Sequence, residues 1–165
     1  MRVHLGRRGD YAVRAVVALA RAATAADDSP RRKTRAIADE MSIPLSYLPQ
    51  ILARLVTAGV VDSVAGPRGG YHLARPAASI SLLEVIDAVE SDSEPPRCIL
   101  ERRPCGWARE CAVHRYWSVA QSSFLDSLES VTFADIAAVD AALTGPARTP
   151  AIAEDPAQSS ADGGS

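Results

Sequence analysis

The feature that most constrains the fold is the turn Gly66-Pro67-Arg68-Gly69, which lies between two short strand patterns at 60–65 and 70–74. Glycine and proline at this spacing are typical of a hairpin turn. Two short helical patterns precede the hairpin, at 34–41 and 46–58, and a longer one opens the chain. The order of helix, helix–turn–helix and hairpin predicts a mostly α fold built on a winged helix–turn–helix.

Single residues mark where the helices begin and end. Pro49 falls in the first turn of its helix, where no intrahelical N–H bond is lost, and Gly59 stands where a helix C-terminus favours a left-handed residue. Glu84 and Asp135 each follow a hydroxyl residue by three positions, which is the capping-box spacing. The residues predicted to cap or open helices are Thr34, Ser46, Ser81 and Thr132.

Charge is divided unevenly along the chain, although the net charge is only −2. Residues 1–76 carry 12 Lys/Arg against 6 Asp/Glu, or +6, whereas residues 77–165 carry 6 against 14, or −8. A basic half in which arginine predominates is typical of a domain that meets a polyanion.

The N-terminal apolar stretch contains Asp10 and Arg14, charges that argue against the apolar region of a signal sequence. No apolar run is long enough to span a membrane. We therefore expect a cytoplasmic protein with no membrane partner.

The helix–turn–helix and the hairpin supply the candidate DNA contacts. In this motif the second helix enters the major groove and presents its N-terminal side chains to base edges. Glutamine can pair bidentately with adenine, and Ser and Tyr more often reach phosphates. Arg68 at the hairpin tip lies where a wing reaches phosphates or the minor groove. The predicted contacts on double-stranded DNA are Ser46, Tyr47, Gln50, Arg54 and Arg68.

All three cysteines lie in one short polar segment, Cys98-x6-Cys105-x5-Cys111, and His114 follows three residues later. Thiolates favour iron–sulfur clusters and zinc, and these long gaps suit a loop around a cluster better than a zinc knuckle, whose cysteines are closely spaced. A zinc site or a thiol redox switch is the alternative interpretation. An enzyme is disfavoured, because no third group is present to orient a Cys/His pair.

Five segments carry a resemblance to a known family. They are GDYAVRAVVALA, IADEMSIPLSYLPQILARLVTAGVVDSVAGPRGGYHLAR, ISLLEVIDAVE, the three cysteines and SVTFADI. Together they resemble the winged-helix iron–sulfur transcriptional regulators, the family that includes IscR and NsrR, over residues 1–143. The resemblance implies a homodimer built on the long helix after the cysteines, a palindromic operator, and an iron–sulfur cluster whose state sets DNA affinity.

The resemblance leaves two candidates for the fourth cluster ligand. His114 matches the ligand histidine of the IscR-type [2Fe–2S] pattern. Asp10 matches the carboxylate that the partner subunit donates in NsrR-type [4Fe–4S] clusters. We favour His114, because it is close in sequence to Cys111.

The predicted organisation has three parts. Residues 1–78 form the winged-helix DNA-binding region. Residues 79–143 hold a linker helix, the cluster-binding loop at 98–114, the dimerisation helix and a short last helix. Residues 144–165 are rich in Pro, Ala, Ser, Gly and Asp and are expected to be disordered. The predicted function is a cluster-dependent repressor that senses nitric oxide, redox state or iron and cluster status.

Overall fold

The computed structural model describes residues 5–24, 31–90 and 113–143 of the chain. Within these ranges it forms six α-helices and one two-stranded hairpin, which confirms the predicted mostly α fold. In chain order the elements are α1 (Arg7–Thr24), α2 (Thr34–Met41), α3 (Leu48–Thr57), β1 (Val61–Val64), β2 (Gly70–Leu73), α4 (Leu82–Glu90), α5 (His114–Ser130) and α6 (Phe133–Leu143). A short 3-10 turn, Ala77–Ser79, joins β2 to α4.

Helix α1 is the centre of the fold, because its apolar face is buried along most of its length. Ala12, Ala15, Val16, Leu19 and Ala20 have no exposed surface. Helices α2, α3, α4 and α6 and strand β2 all pack against α1. The small alanine side chains let these neighbours approach closely enough to exclude voids.

The core is continuous across residue 78, where the sequence predicts the end of the DNA-binding region. Val85 and Val89 of α4 and Phe133 of α6 are fully buried in the same cluster as the α1 residues. The predicted regions therefore share one core, and their division into separate roles stays a prediction.

The prediction that Thr34 caps α2 is wrong. The N-cap is Lys33, and α2 begins at Thr34 without a side-chain cap. The Lys33 backbone is extended, and its carbonyl accepts a helical bond from the Ile37 N–H at 3.1 Å. The helix ends at Ser42, which is in the left-handed conformation with φ 53°.

The prediction that Ser46 caps α3 is also wrong. The N-cap is Tyr47, and no side chain caps the helix. Ser46 lies in a preceding turn, which the Tyr47 N–H closes by donating to Pro44 O at 3.0 Å. Pro49 occupies the first turn of α3, as predicted.

Of the two predicted capping boxes, one is complete. The Thr132 N–H donates to Asp135 Oδ2 at 3.0 Å, and the Asp135 N–H donates to Thr132 Oγ1 at 3.3 Å. Hydrogen bonds from the Thr132 side chain and backbone lower the pKa of Asp135. In the other box the Glu84 N–H donates to Ser81 Oγ at 3.1 Å, but the Glu84 carboxylate pairs with Arg75 instead of returning to Ser81.

The hairpin follows α3 closely and has a tight tip. Gly59 ends α3 with φ 71°, as predicted for a left-handed C-terminal residue. Strands β1 and β2 pair antiparallel, with Val64 opposite Gly70 at the tip. A Cβ on Gly69 would lie 2.0 Å from Val64 O, so the tip forms only with glycine at this position.

Replacing Phe133 by alanine tests whether α6 belongs to the same core as the winged helix. Because Phe133 is fully buried, we expect Phe133→Ala to lower the free energy of unfolding by about 3–5 kcal/mol. Urea denaturation followed by circular dichroism measures the change. The control Leu45→Ala, at a residue that is 48% exposed, should change stability by about 0.5 kcal/mol or less. Two separate transitions in the wild type would contradict a single core.

Candidate functional site

The start of α3 and the turn before it expose three of the predicted DNA contacts. Leu48, Ile51, Leu52 and Leu55 are buried and fix the helix on the core. Ser46, Tyr47 and Gln50 are exposed. The Tyr47 ring packs in a tilted arrangement against the ring of Tyr11, with centroids 6.1 Å apart, and this contact restricts its orientation.

Arg54 occupies a different environment from the other predicted contacts. It is partly buried, and its Nη1 donates a hydrogen bond to Val89 O at 2.9 Å. The guanidinium therefore ties the recognition helix α3 to the last turn of α4. Sequence reasoning missed this role, because no local signal shows that α4 returns to α3. A base contact by Arg54 stays a prediction.

The same end of α4 is also joined to the beginning of α1. The Gly6 N–H donates to Glu90 Oε1 at 2.9 Å, and a Cβ on Gly9 would lie 2.5 Å from that oxygen. Glu90 is the last described residue before the segment with the three cysteines. The entry to that segment is therefore fixed to α1 by Glu90 and to α3 by Arg54.

The hairpin tip carries Arg68, which is exposed as predicted. The turn is held by a residue that sequence reasoning missed: Lys33 Nζ donates to Pro67 O at 2.8 Å and to Gly66 O at 3.2 Å. Lys33 lies more than 30 positions away in sequence, and no local pattern signals the contact.

Asp10 lies in the first turn of α1, and its carboxylate is bound by Arg14 of the same helix. Arg14 Nε donates to Asp10 Oδ1 at 3.0 Å, and Nη2 lies 3.0 Å from Oδ2. Arg14 Nη1 also donates to Met41 O at 3.4 Å, a long contact with the end of α2. The Asp10 carboxylate is 41% exposed, so part of it stays accessible beside its contacts with Arg14.

Cys98, Cys105 and Cys111 lie outside the described residues. His114 is the first residue of α5, and the structure describes its backbone but not its side chain. Among the residues that the structure describes, no group of three or more His, Cys, Asp or Glu side chains is placed to hold a metal ion. The predicted ligand set therefore stays a prediction. It is based on the preference of cysteine thiolates and histidine for iron–sulfur clusters and zinc.

Helix α5 leaves large apolar side chains uncovered. Tyr116 is 77% exposed and Val119 62% exposed, and Phe124 and Leu125 are also exposed. The inner side of the helix packs on α4, and Ser81, which precedes α4, donates to Glu129 of α5 at 3.2 Å.

Asp87 lies in α4, close to two other carboxylates. Burial, together with the negative charges of Glu129 and Glu90, raises the pKa of Asp87.

A helix–turn–helix with an exposed recognition surface, followed by a two-stranded wing, defines a winged-helix DNA-binding protein. Residues 5–139 match the family described as Rrf2, iron-dependent transcriptional regulator. The chain belongs to the Rrf2 family, and the prediction of a regulator rather than an enzyme is confirmed. In the part of the chain that the structure describes, no helix is both long and apolar enough to cross a membrane.

Individual relatives agree with this assignment. A helix–turn–helix-type transcriptional regulator of Neisseria meningitidis serogroup B is 36% identical over 134 residues, which cover 81% of this chain and 87% of the relative. IscR of Escherichia coli is 35% identical over 100 residues, 61% of each chain. The structure of T. potens IscR matches with a TM-score of 0.68 at 26% identity, covering 89% of this chain and 94% of that one. The structure of CymR, the global cysteine regulator of B. subtilis, matches with a TM-score of 0.68 at 22% identity, over 84% and 98% of the two chains, and supports the fold.

Replacing Arg54 by methionine tests its structural role. Because the guanidinium donates to Val89 O in a partly buried position, we expect Arg54→Met to lower the free energy of unfolding by about 1.5–3 kcal/mol. Urea denaturation without DNA measures this loss. The control Arg35→Met removes an arginine whose side chain is 82% exposed and should change stability by about 0.5 kcal/mol or less. Unchanged stability of Arg54→Met would contradict the structural role.

Proposed function

We propose that this regulator is a repressor whose affinity for its operator depends on an iron–sulfur cluster held by Cys98, Cys105 and Cys111. The observation that carries the proposal is the position of these cysteines in the sequence, between the end of α4, which is joined to the recognition helix, and the beginning of α5. The signal is nitric oxide, redox state or iron and cluster status. The family description, iron-dependent transcriptional regulator, supports it.

The donor set fits a cluster better than a purely structural site. Three thiolates are soft ligands. Arg102, Arg103 and Arg109 belong to the same segment of the sequence and would offset the negative charge of a cluster and donate hydrogen bonds to its sulfurs. When bound, a cluster supplies a centre that oxidation, nitrosylation or iron loss alters. Membership in a family that includes IscR adds support for such a cofactor.

We propose His114 as the fourth ligand, with a [2Fe–2S] cluster. It is the first residue of α5 and follows Cys111 by three positions in the sequence. Asp10 of the partner subunit, with a [4Fe–4S] cluster, is the alternative. The two contacts from Arg14 to the Asp10 carboxylate favour His114, because Asp10 would have to give up or share them.

The chain acts on DNA as a homodimer in this proposal, with α5 as the dimerisation helix. The exposed Tyr116, Val119 and Phe124 support this role, because uncovered apolar surface of this kind marks interaction sites. A twofold dimer presents two α3 helices to a palindromic operator, whose half-sites lie about one helical turn apart. Ser46, Tyr47, Gln50, Arg54 and Arg68 are the proposed contacts, and Arg54 would combine that role with its bond to Val89.

The contacts at the end of α4 give the proposed route from the cysteine segment to DNA. In this proposal, a change of state at the cysteines acts on Glu90, the residue that precedes their segment in the sequence, and on Val89. These two residues are bonded to Gly6 and Arg54. Moving the end of α4 therefore shifts α3 within each subunit and changes the separation of the two recognition helices. The operator affinity changes because the two spacings of the α3 helices match the half-sites to different extents.

Anaerobic preparation of the protein tests the cluster and its fourth ligand. We expect a coloured protein with charge-transfer absorption and an intact mass two iron and two sulfur atoms above the apoprotein. His114→Ala should lose most of the colour, and Asp10→Ala should keep it. Absorption spectroscopy and native mass spectrometry measure both. Loss of the cluster in Asp10→Ala alone would assign the carboxylate instead, and a colourless protein with bound zinc or free thiols would overturn the cluster proposal.

Replacing Gln50 tests the base-reading surface. If Gln50 pairs with adenine, Gln50→Ala should reduce discrimination between a selected operator and the same operator with that base pair changed, by about 1–3 kcal/mol. Fluorescence anisotropy titrations of both duplexes give the ratio of dissociation constants. Gln121→Ala, which removes the same side chain from an exposed position on α5, should leave the ratio unchanged. An unchanged ratio in Gln50→Ala would exclude the assigned contact.

A further inference from the structure

We propose that Arg31 and Lys33 form, with Arg68, a second DNA contact: a three-cation site on the wing that binds the phosphodiester backbone. The inference rests on the DNA-binding part of the proposed function and does not depend on the cluster. It adds to the recognition surface two cations from the segment before α2, outside both the recognition helix and the hairpin. These three residues are called the wing cation site below.

The backbone of the segment 31–33 is fixed along the edge of the wing. The Arg32 N–H donates to Tyr71 O at 2.8 Å, and the Tyr71 N–H donates to Arg32 O at 2.9 Å. A Cβ on Gly70 would lie 2.7 Å from Arg32 O, so the close approach needs glycine there. The segment therefore behaves as a short third strand, and the residues on either side of Arg32 are held beside the tip.

The Lys33 ammonium lies against the hairpin tip. Its two hydrogen bonds go to the neutral carbonyls of Gly66 and Pro67, and an ammonium has three donors. In the described ranges, no carboxylate lies within ion-pair distance of Lys33. Lys33 therefore supplies a cation beside the turn, with one donor that neither of these two carbonyls uses.

Arg31 and Arg68 line one open groove of about 340 Å³ at the tip. The other described residues of the groove are Val64, Ala65, Gly66, Pro67 and Gly69, and none of the described lining residues is acidic. Both arginines are exposed. Two guanidinium groups at one groove fit a phosphate, because the planar fork of arginine pairs with phosphate oxygens.

Arg32 lies between Arg31 and Lys33 in the sequence, but its side chain has a structural role. Its guanidinium is paired with Glu40 of α2. Arg31 and Lys33 make no such pair with any carboxylate in the described part of the chain. The run Arg31-Arg32-Lys33 therefore separates into one cation used inside the protein and two placed at the wing.

The open shape of the groove and its position on a wing favour the backbone of duplex DNA over a small free anion. Phosphate contacts position a protein on DNA and carry no sequence information. The wing cation site is therefore expected to strengthen binding to every duplex and to leave base discrimination to α3.

Salt dependence of DNA binding tests the site. Each lost phosphate contact reduces the slope of log K against log[salt] by about 0.9 for duplex DNA. Because the proposed homodimer carries each cation twice, we expect the slope to become shallower by about 1.8 for Arg31→Gln and about 3.6 for the double variant Arg31→Gln/Lys33→Gln, equally on an operator and on a duplex of unrelated sequence. Fluorescence anisotropy over a KCl series, on metal-free and anaerobically prepared protein, gives the slopes.

Charge-retaining variants separate phosphate binding from a structural effect on the wing. Arg31→Lys and Lys33→Arg should keep the wild-type slope, and Arg115→Gln, which removes an exposed cation of α5, should also keep it. A double variant that loses affinity equally at every salt concentration, with an unchanged slope, would overturn the inference and show that Lys33 only braces the tip.

The outcomes also distinguish this inference from the proposed function. A wild type that binds operator with the same affinity in metal-free and anaerobic preparations would overturn the cluster proposal, while its variants would still report on the wing cation site. If the operator affinity of the wild type depends on the cluster but the variants keep the wild-type salt slope, only the wing cation site is overturned.

Discussion

The burial of α1 is the constraint on which the rest of the structure depends. Its alanine-rich face has no exposed surface at five positions, and four other helices and a strand pack around it. Since the recognition helix and α4 rest on the same helix, neither can shift without repacking a dense core. A close-packed interior favours discrete arrangements over gradual deformation, which is the property that a switch in DNA affinity requires.

The end of α4 is where this core meets the cysteine segment. Backbone and side-chain bonds join Val89 to Arg54 and Glu90 to Gly6, so two consecutive residues hold α3 and the start of α1. Val89 is fully buried, as are Val85 and Phe133, whereas Glu90 is exposed. A change that reaches the exposed Glu90 therefore acts next to a core residue that is bonded to the recognition helix.

Local patterns predicted the elements well and the long-range contacts poorly. The hairpin, the Thr132 capping box and the left-handed Gly59 were predictable, because each depends on residues a few positions apart. The caps at Thr34 and Ser46 were wrong, because a hydroxyl side chain alone does not determine which carbonyl accepts the first helical bond. The bond from Arg54 to Val89 spans 35 positions, and helical spacing gave no sign of it.

Charge counting shows the same limit. The +6 of residues 1–76 overstates the charge that faces a polyanion, because several of its arginines are paired inside the protein. Arg21 pairs with Asp140 and Arg75 with Glu84, so acidic residues of the second half neutralise basic residues of the first. Because these ion pairs engage Arg21 and Arg75, the cations that can contact DNA are fewer than the basic residues of 1–76. The electrostatic surface is therefore set by the tertiary fold as much as by composition.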